Sequence, residues 1–574
     1  MGIRPPRASL NRTEMSHEME RVLRYHQVTK HNFHAYARGP GYLDWDTQPD
    51  PFRRYRGAPL IKLEQVPPTG QPEYGLALIQ GNLPAAPLNY HTLSQFFFDS
   101  LAISAWKRAG SVSWALRVNP SSGNLHPTEG YLVCGPLDGV CDAPMVGHYA
   151  PREHALEWRA RFAPGTWTAL TAQLPQQTFL VGLSSIHWRE AWKYGERAFR
   201  YCHLDVGHAI AALSIAAAGL GWQATLLDDV GTQQVADLLG ISDPQDAEPE
   251  HADCLLAIHP QDQTCRGRGL PDEVLATFAG LAWQGRPNQL SPDHVDWSIN
   301  IVADATIKPA SQGTYDSEIQ PGDAAFLASY LEPVSLREII RERRSAVDMD
   351  GRTGITRDTF HALLSQTLAG PTRVPFNTLP WSPRVHLAIF VHRVQDLEPG
   401  LYVLIRAAEQ KAALQSALSD EFDWETPKDC PSELHMYRLR SGDARAAARQ
   451  VSCQQAIASD GCFSLGMVAD FERSLQQFGA WFYTRLYWEC GAIGQALYLA
   501  AEAAGRRGTG IGCFFDDPMH YLLGLDLESF QYQSLYHFTV GQPVEDVRLT
   551  TLPAYSQNKD FRESHNMTVK EVAD

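Results

Sequence analysis

Two apolar runs dominate the hydropathy pattern of the chain. The stretch from Gly207 to Gly221 reads Gly-His-Ala-Ile-Ala-Ala-Leu-Ser-Ile-Ala-Ala-Ala-Gly-Leu-Gly. That from Gly491 to Gly505 reads Gly-Ala-Ile-Gly-Gln-Ala-Leu-Tyr-Leu-Ala-Ala-Glu-Ala-Ala-Gly. Richness in Ala and Leu with a closing glycine predicts two helices, each ended by a glycine stop. Both are followed by an apolar stretch, an Asp-Asp pair (Asp228-Asp229 and Asp516-Asp517) and a short segment ending in Leu-Leu-Gly, at Gly240 and Gly524. Upstream, Thr92 to Ala102 parallels Thr359 to Ala369, and strand-like runs follow at Tyr131–Val133 and Leu387–Val391. One pair of Ala-rich helices can look alike by chance. Four matches in the same order predict a duplicated α+β domain.

Breaker residues divide the chain. Asp296 to Pro333 is interrupted by turn residues, among them Gln320-Pro321-Gly322-Asp323, and has no sustained amphipathic period, which predicts a linker over 296–334. Residues 1–85 are rich in Pro, Gly and Arg and read as an irregular arm laid over the first domain. The expected domains are 86–295 and 335–574.

Composition narrows the function classes. A chain of 574 residues with 44% hydrophobic and 20% charged residues buries a sizeable core. Its net charge of -16 repels phosphate backbones, so no nucleic-acid partner is expected. No run reaches the roughly 20 apolar residues of a membrane span, and Met1 to Pro6 lacks the apolar segment of a signal peptide. Gly2 suggests myristoylation, but Pro6 stands where that pattern wants Ser or Thr. A cytoplasmic protein with no membrane partner is the expectation. Ten scattered cysteines form no Cys-x-x-Cys pair, which predicts reduced thiols and no metal site.

Chemistry concentrates in three places. Pro120-Ser121-Ser122-Gly123-Asn124-Leu125-His126-Pro127 puts small polar residues between two prolines just before a strand, so it reads either as a plain turn or as a rigid loop holding a flat polar ligand by its edge. Arg341-Glu342-Arg343-Arg344-Ser345 is either a solvated helix face or a phosphate grip, since guanidinium forks match phosphate oxygens. Gly508-Thr509-Gly510-Ile511-Gly512 permits close backbone approach to a ligand but follows a helix, against the Rossmann pattern.

The Pro120–Pro127 loop closely resembles the flavin-ring loop of the nitroreductase superfamily, particularly its azoline-dehydrogenase branch, the SagB/ThcOx-type oxidases. That branch carries a Lys-Tyr-Gly-x-Arg-x-Tyr-Arg signature, and this chain has Lys193-Tyr194-Gly195-Glu196-Arg197-Ala198-Phe199-Arg200, with Phe in place of the second Tyr. Tyr25–Lys30 and Pro51–Tyr55 resemble the arm that precedes the domain in that branch. The resemblance implies an α+β fold of two nitroreductase-like domains, each an antiparallel-rich sheet flanked by helices, joined as an intramolecular pseudo-dimer. It implies FMN as cofactor, with Arg343, Arg344 and Ser345 on its phosphate, Gly510, Gly512 and Arg548 as further neighbours, and Ser121, Ser122, Gly123, Asn124, His126 and Arg197 also binding it. Lys193 and Tyr194 are the implied catalytic pair, with Arg197 and Arg200 as candidate cations lowering the lysine's pKa.

The halves are complementary. Leu76, Ala77 and Leu78 fall opposite Arg343, Arg344 and Ser345, while Gln477 and Phe478 fall opposite Lys193 and Tyr194. One complete site, hence one FMN per chain, is expected. The implied function is an FMN-dependent dehydrogenase taking hydride from a heterocyclic or amino-acid-derived substrate, small or peptide-derived. An NAD(P)H-dependent nitroreductase or ene-reductase and a non-catalytic flavin-binding protein are the alternatives. On the bare residues Lys193 also reads as a surface ion-pair former with Glu190 and Glu196.

Overall fold

The computed structural model describes residues 16–66, 69–242, 246–263, 270–310 and 333–555. The reading of Met1 to Pro6 and the turn-rich part of the expected linker, including Gln320–Asp323, lie outside them.

Two sheets of the same topology form the frame. In chain order the first half contributes strands β1 (Leu60–Lys62), β2 (Ile103–Ala109), β3 (Val112–Arg117), β4 (Thr128–Cys134), β5 (Met145–Ala150), β6 (Ala155–Arg161), β7 (Phe179–Ser185), β8 (Trp222–Leu226) and β9 (His251–Pro260). The second half contributes β10 (Val385–Val391), β11 (Gly400–Leu404), β12 (Met436–Ser441), β13 (Phe463–Asp470), β14 (Arg507–Ile511), β15 (Tyr532–Gly541) and β16 (Thr550–Pro553). The first sheet runs β1-β6-β5-β4-β7-β9-β8 and the second β12-β11-β10-β13-β15-β14, so six strands correspond one to one. All pairings in both sheets are antiparallel. Their central strands β4, β7, β10 and β13 are buried along their whole length, which explains why they read as continuous apolar runs and not as alternating ones.

The two predicted apolar helices lie between the sheets. Helix α4 (Ala198–Ala218) is buried at every position and α10 (Phe482–Ala503) at every position but Glu502. Together with the preceding α3 (His187–Tyr194), α4 is long and apolar enough to cross a bilayer by length and composition, yet its apolar window is wholly buried inside the protein. The other helices used below are α1 (His17–Val28), α2 (Tyr90–Ser100), α5 (Thr232–Leu239), α6 (Ile299–Ala305), α7 (Leu336–Glu342), α8 (Arg357–Ser365), α9 (Phe471–Phe478) and α11 (Asp516–Leu523). Asn89 and Thr92 form a reciprocal capping box that starts α2. The glycine stops expected after Leu-Leu are left-handed, at φ 66° for Gly240 after α5 and 72° for Gly524 after α11.

Each half lends pieces to the other. The C-terminal strand β16 pairs with β2 of the first half, and Tyr555 donates to the Pro151 carbonyl (2.9 Å). At the start of the second half, α7 packs Leu336, Ile339 and Ile340 among Tyr74, Ala77, Leu78 and Ile215 of the first.

Two expectations need correction. The arm is not wholly irregular: Ser16 caps α1, whose first turn carries Glu18 and Glu20, matching the helix dipole. Nor does it lie over the first domain alone, since His26 bonds Tyr483 and Gln533, and Lys30 pairs with Asp517 (3.0 Å). Within the expected linker, α6 turns Ile299, Val302 and Ala305 onto one buried face; at seven residues it is too short to show a sustained period in sequence.

Candidate active site

The Pro120–Pro127 loop is held in shape by its own side chains. Gly123, Asn124 and His126 all have left-handed backbones (φ 61°, 60° and 54°). Asn124 donates to the Ala115 carbonyl (2.9 Å), its amide oxygen lies 3.0 Å from His126 Nε2, and the His126 amide donates to Ser121 Oγ (2.8 Å). Asn124 and His126 therefore brace the loop from behind. Its ligand-facing residues are Pro120, Ser121, Ser122 and Gly123, which line a cleft of about 280 Å³.

The cleft is shared between the halves. The first half also supplies Tyr194, Tyr201, Asp205 and His208, and the second supplies Ser345, Gln455, Tyr498, Tyr536 and the run from Thr509 to Cys513. Ser345 Oγ lies 2.9 Å from the Tyr498 hydroxyl, which accepts the Gly510 amide at 2.9 Å. The Lys-Tyr pair meets the loop at Gly123, where an added Cβ would fall 2.5 Å from the Tyr194 hydroxyl and 3.1 Å from Lys193 Nζ. A side chain there would displace both, so the absence of one is a steric requirement as well as a conformational one.

Two buried carboxyls sit beneath the loop. The Ser122 amide donates to both Asp205 oxygens (3.0 and 3.2 Å), and Ser122 Oγ donates to one (3.1 Å). Burial nevertheless pushes the Asp205 carboxyl up to about 7. Glu190 lies 3.4 Å from Ser121 Oγ; burial, then the charge of Asp205, drives its carboxyl well above the ordinary range, while Lys193 pulls it down. Tyr194 is raised well above its usual value by burial and by Glu190.

Other expected site residues stand elsewhere. Arg197 and Arg200 do not act as cations beside Lys193: both are buried in ion pairs with Asp516 (2.9 and 2.7 Å) and bond the carbonyls of Thr29 and His26. Arg548 is exposed, pairs with Asp546 (2.7 Å) and is not among the cleft's lining residues. Arg343 reaches across to the carbonyls of Arg117 and Val118 (2.7 and 2.9 Å), with its Nε unpartnered. Arg344 bonds the carbonyls of Arg341 and Arg343 (2.8 and 2.6 Å); burial, then the neighbouring Arg343 charge, lowers its guanidinium to about 10. The two arginines flank Ser345 at the cleft wall without lining it.

The residues opposite these make other contacts. Phe478 packs on Phe482 (centroids 4.4 Å apart), and Gln477 accepts from Arg384 (3.0 Å). Ala77 and Leu78 belong to a buried apolar cluster.

Sequence reasoning missed Tyr201, Asp205, His208, Gln455, Tyr498 and Tyr536. A signal existed for three of them: positions 201, 205 and 208 share one face of α4, a polar stripe on an apolar helix.

The lining suits a flat heteroaromatic ligand. Tyrosine rings and Ile511 offer apolar faces, whereas the Ser122, Ser345 and Thr509 hydroxyls and the loop backbone offer hydrogen bonds to a polar edge. A flavin is such a molecule, and the buried Arg343, with its Nε unpartnered, and the half-buried Arg344 beside Ser345 fit a phosphate tail.

Residues 108–257 match the family model described as Nitroreductase family. No curated relative matches the chain. Among solved structures, a protein of Anabaena variabilis ATCC 29413 named as a candidate nitroreductase is 23% identical, covers 91% of this chain and 99% of its own, and superposes with a TM-score of 0.65. The shared fold thus runs through both halves. The E. coli microcin synthetase McbBCD complex with truncated pro-MccB17 bound (16% identity, 36% of this chain, 70% of that one, TM-score 0.27) covers much less. So does the NADPH:FMN oxidoreductase of Vibrio harveyi complexed with NAD+ (15%, 36%, 68%, TM-score 0.21). Residues 108–257 thus resemble the nitroreductase family, and the fold shared with the Anabaena protein continues through the second half.

Proposed function

We propose that the chain is an FMN-dependent oxidoreductase that removes hydride and a proton from a heterocyclic or amino-acid-derived substrate, using one composite cleft. The observation that carries this reading is that Tyr194 lines the cleft beside the Gly123 loop, with Lys193 Nζ next to that loop, opposite a wall of Ser345 and Thr509–Cys513 from the other half.

Ser121, Ser122 and Gly123 would hold the ring edge of the cofactor, and Ser345, with Arg343 and Arg344 behind it, would hold its phosphate. FMN, when bound, supplies the two-electron acceptor. Lys193 takes the proton at Nζ, and Tyr194, wedged between Gly123 and Tyr201 (ring centroids 4.6 Å apart), keeps the lysine and substrate aligned. Glu190, one turn before Lys193 and held toward its protonated form by burial, offers a carboxyl through which the proton passes on.

The test is Lys193→Ala assayed against a panel of thiazoline, oxazoline and nitroaromatic compounds. The variant should keep its flavin and lose about 10²–10⁴-fold in turnover of the best substrate, the usual worth of a general base. Parent-level turnover in a flavin-loaded variant would make Lys193 a surface ion-pair residue and refute the mechanism. Nitroaromatic-dependent oxidation of NADPH without azoline turnover would move the reading to a nitroreductase.

A further inference from the structure

Two cysteines meet at the edge of the cleft. Cys453 Sγ and Cys513 Sγ are 2.8 Å apart, closer than two unbonded sulfurs sit at van der Waals contact. The next close thiol pair among the described residues, Cys134 and Cys141, is separated by 3.8 Å. Neither is in a disulfide, and both are partly exposed.

The backbone is shaped to bring them together. Cys453 and Gln454 are consecutive left-handed residues (φ 53° and 61°) just past Ser452, the cap of the helix Arg445–Val451, a conformation that costs energy in residues with a Cβ. The loop is pinned at its far side: Gln455 Nε2 donates to the carbonyl of Cys513 (2.9 Å) and to that of Ser452 (3.0 Å). On the other side Gly512, next to Cys513 and just past β14, accepts a hydrogen bond from Tyr201 (3.1 Å). Strain on one thiol's backbone and bracing on both sides hold the sulfurs in register, an arrangement that packing of an inert small side chain does not require.

From this juxtaposition we infer that Cys453 and Cys513 form a reversible redox site, a dithiol that a small-molecule disulfide such as glutathione disulfide converts to an intramolecular disulfide in the wall of the cleft. In the first step the Cys513 thiolate attacks one sulfur of the small disulfide and expels one small thiolate, leaving a mixed disulfide on Cys513. In the second, Cys453 gives up its proton and attacks Cys513 Sγ, expelling the other small thiol. The balance is one small disulfide reduced to two thiols and two cysteine thiols oxidised to one disulfide, with both protons ending on the released thiols. Cys513 is suited to attack first: the neighbouring Cys453 thiol, aided by Arg197, lowers its pKa, and the thiolate is the nucleophile. Because Gln455 and Cys513 both line the cleft, the bond ties two of its lining segments together covalently. The inference is independent of the reaction proposed above.

Peptide mapping tests it on the native, full-length protein. One sample is held in dithiothreitol and another is incubated with glutathione disulfide; both are alkylated under acid-quenched conditions and digested with trypsin. The oxidised sample should yield a linked pair spanning 450–473 and 508–548, two hydrogens lighter than the separate peptides and separated again by dithiothreitol. Fragmentation should place the bond on Cys453 and not on Cys462, which shares its peptide. In Cys513→Ser the linked pair should vanish and Cys453 should be alkylated or glutathionylated. The inference is overturned if both thiols of the parent protein stay alkylatable to the same extent as Cys430, if they end only as separate glutathione adducts, or if the sole link formed joins Cys134 to Cys141.

Discussion

Gly207 and Gly491 touch where the two long helices cross. A Cβ added to Gly491 would lie 2.8 Å from the Gly207 Cα and 2.2 Å from the Leu204 carbonyl oxygen; one added to Gly207 would lie 2.3 Å from the Trp488 carbonyl oxygen. These glycines open the two apolar runs that the repeat aligns. They face each other at the centre of the contact because each half presents the same position to the other.

Backbone atoms on both sides leave no room to relax, so Gly491→Ala should destabilise the protein by about 1–3 kcal/mol, the usual cost of overpacking. Gly165→Ala is the control, since its Cβ would meet nothing within 4 Å and it lies in a short helix where Ala is the better former. Thermal unfolding should show a fall of several degrees for the first variant and none for the second. Equal midpoints would mean that the helix crossing tolerates separation.

Much of this was legible in sequence, for identifiable reasons. Backbone-driven features are local: the loop from Pro120, the glycine stops and the paired apolar helices each announce themselves within a dozen residues. Ser345 is marked by its adjacent arginines, but the direction of those guanidiniums is not legible, because Arg343 is aimed by carbonyls 225 and 226 positions away. Tyr498 and Tyr536 look like ordinary core tyrosines until α10 and β15 bring them beside Gly510. Arg197 is close to Lys193 in sequence, but a helix start turns it toward Asp516, 319 residues later.

The arginines beside Ser345 lead to a second prediction. Hydrogen bonds between charged partners are worth about 1.5–3 kcal/mol each, so Arg344→Ala should weaken FMN binding at least tenfold in a fluorescence titration. Arg548→Ala, which removes an exposed side chain paired with Asp546, should leave the affinity unchanged. Unchanged affinity in Arg344→Ala would return that arginine to a structural role.

Asp205 makes stability depend on pH. Burial raises its folded-state value to about 7, above the ordinary value of about 3.9 in the unfolded chain. Below the lower value both states hold the proton and no penalty exists. As pH rises through the interval the unfolded state ionises first, so stability falls until about pH 7 and then levels off. Asp205→Asn removes this penalty, on the order of a few kcal/mol at most. The variant's unfolding midpoint, measured relative to the parent, should therefore rise between pH 4 and 7 and stay constant above. A flat difference across that range would show that Asp205 titrates as an ordinary carboxylate.

We propose one flavin site per chain, in the cleft between the Gly123 loop and Ser345, because the opposite positions, Phe478 and Leu76–Leu78, carry neither a Lys-Tyr pair nor guanidiniums. Flavin stoichiometry tests it most directly. The purified protein, reconstituted with excess FMN and freed of unbound cofactor, should carry one FMN per chain by absorbance and by extraction; two equivalents, or none, would contradict the account.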